Sequence, residues 1–189
     1  GPVQQLLRCA VLHHAAGVHQ HDPLAEQHRL RDVGAHHHDR LPPALEQLAS
    51  ILSDLGDTDR MQPVVASLRQ RAPATEGTHY YTASLLFLQG RPDQALAEAP
   101  LVLAVNPHHA KAHNLVGACL ANQGQRDAAR QAFEASLAAD PRDSGTYTNL
   151  ATLEQESGNL DRAAQLFAEA LMIDPESATA RRGLAAVQH

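Results

Sequence analysis

The chain has 189 residues, 43% of them apolar, with 15 Lys and Arg against 21 Asp and Glu and a formal charge of -6, which is the size and make-up of one ordinary folded domain. Its longest apolar runs, such as Leu85 to Leu88 and Leu101 to Val105, fall far short of the roughly 18 residues a membrane span needs, and an acidic excess has the wrong sign for binding nucleic-acid phosphates. Cys9 and Cys119 make no disulfide framework and match no C-x-x-C or zinc-ribbon spacing.

Basic charge rests on fourteen Arg and the single Lys111, and Ala is abundant, a composition that reads as a GC-rich coding bias of bacterial type. Only six aromatics are present, Tyr80, Tyr81, Tyr147, Phe87, Phe133 and Phe167, so packing is expected from Ala and Leu on closely approaching helices. The opening Gly1-Pro2 reads as the remnant of a tag-removing protease of the picornaviral 3C type, so absent targeting signals decide nothing about the natural protein. The compartment is left open, with the cytoplasm slightly favoured.

Taken in chain order, residues 3 to 41 come first. Leu6, Leu7, Ala10, Val11 and His14 have helical spacing up to Gly17, and Pro23-Leu24 opens a second, weakly apolar stretch. The step from Gly17 to Gly56 is five places longer than the period found below, so this segment is either a diverged repeat with an insertion or a separate helical pair. Eight of the thirteen histidines lie between His13 and His38, with Asp22, Asp32 and Asp39 among them. One reading is a Zn²⁺ or Ni²⁺ site built from His19, His21 and a member of the 36–38 run. The other is a solvated His-rich connection; no ligand motif such as H-E-x-x-H is present, and no metal ligand set is assigned.

From residue 42 onward the chain repeats itself. Gly56, Gly90, Gly124 and Gly158 stand 34 apart, and so do Pro73, Pro107, Pro141 and Pro175. Seven places before each glycine is a small residue, Ala49, Ala83, Gly117 or Ala151, and five after it is Met61, Ala95, Ala129 or Ala163. Helical spacing links Ala129, Phe133 and Leu137, and again Ala163, Phe167 and Ala170. Glycine should end a first helix in a left-handed cap. Asp57, Asp93, Asp127 and Asp161 should start a second helix, where a carboxylate suits the free N–H groups and the dipole. Proline then closes the unit.

These columns resemble the tetratricopeptide repeat family, most fully in Ala112 to Leu120 with Gly124, Ala129, Phe133 and Asp140-Pro141, and in Tyr147, Leu150, Ala151, Gly158, Ala163, Phe167 and Asp174-Pro175. The resemblance covers four units, 42–75, 76–109, 110–143 and 144–177, followed by a capping helix over 178–188 carrying Leu184 and Ala185. It implies an all-α, right-handed superhelix of helix-turn-helix repeats with first helices on the concave side. The first unit is degenerate, with Met61 and Leu68 where small residues are usual, and the second carries Ala99 in the aromatic place and Pro100 inside its second helix, which is expected to kink it and loosen the neighbouring contact.

His79 and His113 occupy the bulky early place of the first helix held elsewhere by Leu45 and Tyr147 and read as packed structural residues, and Cys119 reads as a small core side chain. No Ser/His/Asp, Cys/His, paired-carboxylate or phosphate-loop arrangement appears in its required context, so neither a catalytic set nor a cofactor is expected. The resemblance implies instead a protein-binding groove. Its expected contact residues are Tyr80, Tyr81, Ser84, Phe87, Lys111, Asn114, Asn149 and Arg182: Tyr80 and Phe87 lie off the signature places and are expected to project inward, and Asn149 with Asn114 suits a peptide backbone, as in the asparagine ladder of the similar array of O-linked N-acetylglucosamine transferase. The two-cation clamp by which related co-chaperones hold heat-shock protein tails is not kept, since Glu46, Ser50, Tyr81, Lys111 and Leu115 stand in its places. The expected function is therefore a scaffold binding an extended peptide or helix of a protein partner, with self-association left open. The alternatives are an accessory region of a larger bacterial sulfotransferase, glycosyltransferase, hydroxylase or envelope polysaccharide-export protein, or a His-rich metal binder.

Overall fold

In the computed structural model the described residues are 42–188, and they form nine α-helices joined by short turns, with no strand among them. The helices are α1 (42–54), α2 (Thr58–Arg71), α3 (Glu76–Leu88), α4 (Pro92–Val105), α5 (Ala110–Asn122), α6 (Arg126–Ala139), α7 (Ser144–Glu156), α8 (Leu160–Ile173) and α9 (Ala178–Val187). The expectations for residues 3–41, including the histidine-rich run, and Cys9 lie outside the described residues.

Odd-numbered helices from α1 to α7 end the same way. Gly56, Gly90, Gly124 and Gly158 have φ of 65, 72, 74 and 82°, a left-handed conformation that costs any residue with a Cβ. It lets two backbone N–H groups turn back onto the last helical turn: Gly56 donates to Ser53 O and Asp57 to Leu52 O, and the pattern recurs one repeat on as Gly90 to Phe87 and Arg91 to Leu86, at 2.9–3.0 Å. This satisfies carbonyls that a helix end otherwise leaves open.

Even-numbered helices begin less uniformly. Asp57 caps α2 by accepting from Arg60 N. Asp93, Asp127 and Asp161 sit later, inside the first turn, where they face the positive helix end without capping; the cap places there are Arg91, Gln125 and Asn159, none with a capping side-chain hydrogen bond. These helices end at Ala72, Asn106, Asp140 and Asp174, each just before a proline, with φ between -142 and -125°. The proline ring bars the residue before it from the helical region.

From α2 to α9 each helix packs on its neighbours in sequence, and α3 touches α5, α5 touches α7, and α7 touches α9; none reaches further. The result is a helical repeat solenoid, held together by nearest-neighbour interfaces. Its core is a chain of clusters, from Leu45, Leu52, Met61 and Leu68 through Ala83, Ala95 and Cys119 to Ala129, Phe133 and Leu150, then Ala151, Phe167 and Ala180. Helix α4 runs unbroken through Pro100. That proline is exposed and its neighbour Ala99 buried, so the helix still packs on both α3 and α5 and the expected loosening is absent from its apolar face.

Candidate functional site

The first helices of successive pairs are tied to one another side by side. Ser53 and Ser84 share a hydroxyl hydrogen bond of 2.6 Å between α1 and α3. The Tyr80 ring of α3 lies 4.9 Å from the His109 ring at the start of α5, tilted by 32°. Asn149 Nδ2 of α7 donates to Asn114 Oδ1 of α5 at 2.9 Å. Places about one repeat apart in the chain thus become lateral neighbours, and α3, α5, α7 and α9 lie side by side as a wall of first helices.

Tyr80 and Tyr81 stand at the α1–α3 end of this wall, ring centroids 5.0 Å apart in an edge-to-face arrangement, the geometry favoured by the ring quadrupole. Both are half-buried, and Tyr81 also packs on the cluster of Leu45, Ala49 and Leu52. Burial pushes the Tyr80 phenol well up, with further pushes from Tyr81, Asp54 and Asp143. Burial also raises Tyr81, helped by Glu46 and Asp54 and opposed by a hydrogen bond with Ser50. Both phenols are neutral donors at physiological pH.

The other expected contact residues are placed differently from one another. Lys111, Asn149 and Arg182 are exposed and Asn114 is half-buried. Ser84 is buried, its hydroxyl taken up by Ser53. Phe87 packs on Ala83, Ala95 and Cys119 beside Leu115, so much of its ring is spent joining α3 to α5. His79 Nδ1 meets Glu98 at 2.9 Å and His113 Nε2 meets the Pro107 carbonyl at 2.9 Å. Cys119 is buried, and burial together with Asp93 pushes its thiol up to about 11, out of the nucleophilic range. Among the described residues no group of three His, Cys, Asp or Glu could hold a metal ion, and no helix is long and apolar enough to cross a membrane.

Two features escaped the sequence reading. His109 is the cap residue of α5: its Nδ1 accepts the N–H of Ala112 at 3.0 Å, while Nε2 lies 3.3 Å from Glu76 of α3. Glu154 of α7 is fully buried and receives Arg130 Nε at 2.6 Å and Asn159 Nδ2 at 2.6 Å, with Arg162 Nε at 3.7 Å. The signal for Glu154 was present as a broken column, Leu52, Leu86, Leu120, Glu154, each one full period after the last.

A family model described as tetratricopeptide repeat matches residues 86–153, and a second of the same description matches 148–189. The chain belongs to the tetratricopeptide repeat family. Solved structures similar to this tetratricopeptide repeat protein include a thermophilic protein of the family from Thermus thermophilus, 26% identical over 78% of this chain and 81% of that one with a TM-score of 0.67. PilF of Pseudomonas aeruginosa is 19% identical over 79% and 68% with a TM-score of 0.67, and MamA of Desulfovibrio magneticus is 21% identical over 72% and 77% with a TM-score of 0.56; at these identities the likeness is one of fold. No curated protein matches the chain.

The double role of His109 should make the stability of the repeat array depend on pH. An accepting Nδ1 carries no proton, so the ring is neutral with its hydrogen on Nε2, toward Glu76. Burial holds its pKa below the ordinary 6.5, outweighing the upward pull of Glu76 and of the backbone hydrogen bond, with Lys111 and His113 adding to the lowering. A base with a lowered folded pKa contributes stability that is complete above the unfolded value and lost as pH falls toward the folded one. Urea midpoints measured from pH 8 down to 5.5 should fall for the wild type relative to His109→Asn, which keeps a capping acceptor but does not titrate, by up to about 1 kcal/mol, the size of a cap. Parallel profiles for the two would remove this role.

Proposed function

We propose that the chain is a non-catalytic interaction module whose first-helix wall holds an extended segment or helix of a protein partner, with units 42–75, 76–109, 110–143 and 144–177 forming the wall and 178–188 closing its end. The observation that carries this reading is the alignment of Tyr80, Asn114 and Asn149 along neighbouring helices, with Asn149 bonded to Asn114. Aromatic rings supply contact area at little rotamer cost, and side-chain amides keep donors and acceptors free for a peptide backbone. A bonded pair of amides is also held in place before the partner arrives, which lowers the ordering cost of binding. The family supports a protein partner, and nothing in the wall is arranged for bond-breaking chemistry.

Panning a library of displayed linear peptides against the wild-type protein, with titration of the winners, tests the reading. Tyr80→Ala and Asn149→Ala should each weaken these peptides by roughly five- to ten-fold, the effect of losing about 1–1.4 kcal/mol of contact. Asn149→Ala should leave the circular-dichroism melt close to wild type, and Tyr80→Ala, whose ring packs on Tyr81 and His109, should lower it without abolishing folding. Phe87→Ala is a poorer test, because Phe87 is packed against Ala83, Ala95 and Cys119 and its removal should cost stability as well. Winners that bind both variants as tightly as the wild type would place the partner surface elsewhere.

A further inference from the structure

The α1–α3 end of the wall combines aromatic rings with carboxylates. Glu46 of α1 reaches across to α3, where its carboxyl oxygens lie against Gly77, closely enough that a Cβ there would clash with them. Glycine inside a helix is costly, and here its absent side chain is the room in which the carboxylate lies. Next to it stands Glu76, whose described partners are the Asn106 amide and His109. Asp54 is exposed and follows Ser53, whose hydroxyl is bonded to that of Ser84 one turn beyond Tyr80 and Tyr81 on α3, and its charge acts on both phenols. Neither Glu46 nor Asp54 forms an ion pair among the described residues.

We propose that this end of the wall accepts a Lys or Arg side chain of the partner segment, laid against Tyr80 and Tyr81 and held by Glu46 and Asp54. The inference rests on the groove reading above and adds the chemistry of what enters it. Neutral phenol rings present a negative face to a cation, and a carboxylate beside the ring supplies a hydrogen-bonding terminus. Glu46 stands to gain from such a guest: burial and the neighbouring Glu76 both raise its pKa above the ordinary 4.5, the condition of a carboxylate short of positive charge. Lys111, near His109, bounds the site on the α5 side and sets a direction along the groove, cationic guest group toward α1. The overall charge of -6 favours encounter with a basic segment.

Three fluorescently labelled dodecapeptides with blocked ends test it: one alternating Arg with Ala and Leu, and the same peptide with Gln or Glu in place of Arg. The Arg peptide should bind the wild-type protein at least ten-fold more tightly than the Gln peptide in low-salt buffer, and the Glu peptide more weakly still. The double variant Glu46→Gln/Asp54→Asn should lose about ten-fold in affinity for the Arg peptide and little for the Gln peptide, whereas Asp161→Asn/Glu169→Gln, which removes two exposed carboxylates of α8, should change neither. Equal binding of Arg and Gln peptides, with both lost on Tyr80→Ala, would overturn the cation site and leave the groove standing. So would equal effects of the two double variants, since the preference would then be non-specific. Failure of all three peptides to bind would count against both.

Discussion

Glu154→Ala is expected to lower the unfolding free energy by about 3 kcal/mol, the lower end of the cost of breaking a buried ion pair, and to bring the melting midpoint down by roughly 6–12 °C for a domain of this length. The carboxylate is 1% exposed and bridges three helices: Arg130 comes from α6, Asn159 from the start of α8, and Arg162 from the first turn of α8. Deletion leaves the Arg130 guanidinium without its interhelical carboxylate, although its bond to Asp127 at 2.8 Å and its 25% exposure keep the cost from the upper end of the range. Burial pushes the Glu154 carboxyl up, but the hydrogen bonds from Arg130 and Asn159 and the charges of Arg130 and Arg162 outweigh it and hold the group below the ordinary 4.5. Its contribution is therefore complete above about pH 4.5 and lost as pH falls through the lowered folded value. Urea titrations followed by circular dichroism at pH 7 and pH 3.5 should show the wild type and Glu154→Gln closer together at the lower pH. A variant as stable as wild type at pH 7 would mean that the buried charge contributes nothing net.

Phe133→Ala should cost about 3–5 kcal/mol, the usual range for emptying a buried aromatic site. The ring is 1% exposed and lies among Ala129, Leu150 and Leu153, with Ala118, Leu120 and Leu137 around it, so it joins α5, α6 and α7. It is also the reason for Gly117: a Cβ at that place would come within 2.6 Å of the ring. Gly117→Ala alone should therefore destabilise by about 1–3 kcal/mol through overpacking. In the Phe133→Ala background the same change should be neutral or stabilising, because the methyl then enters space the ring has left. The neighbouring repeats differ: the earlier one pairs Ala83 with Ala99, and the later one keeps a ring, Phe167, with Ala151 but finds its close glycine at Gly183 instead, so the expected coupling belongs to the Gly117–Phe133 pair. Thermal melts of the four members of this cycle read the coupling directly; additive losses would show that ring and glycine do not share one space.

The repeating columns could be read without coordinates because each rests on a local constraint. A left-handed turn admits glycine at little cost, a proline forbids helix at the residue before it, and these requirements act within a few residues of chain. The same locality made the helical spacing of Ala129, Phe133 and Leu137 visible. Aspartates after the turn were visible too, but which of them caps depends on a small shift in place, and only Asp57 has its carboxylate at the capping position. At the wall, Tyr80 and Asn149 were legible as polar or aromatic residues away from the core places. Ser84 and Phe87 looked equivalent to them in sequence, yet Ser53 from the preceding pair takes up the serine and Cys119 from the following pair receives the phenylalanine.

Composition and period by themselves determined that residues 42–177 are a stack of two-helix units with turns at fixed places, because glycine, proline and the small residues act on their own backbone and nearest turns. Tertiary structure alone decided which side chains stay exposed along the first helices and which are consumed in holding the stack together. That choice is made between residues of neighbouring helices and repeats: the period brings Asn114 near Asn149 and Glu76 near His109, but only the packed helices show that these side chains bond to one another, and nothing in the spacing of Arg130 and Glu154 marks their ion pair.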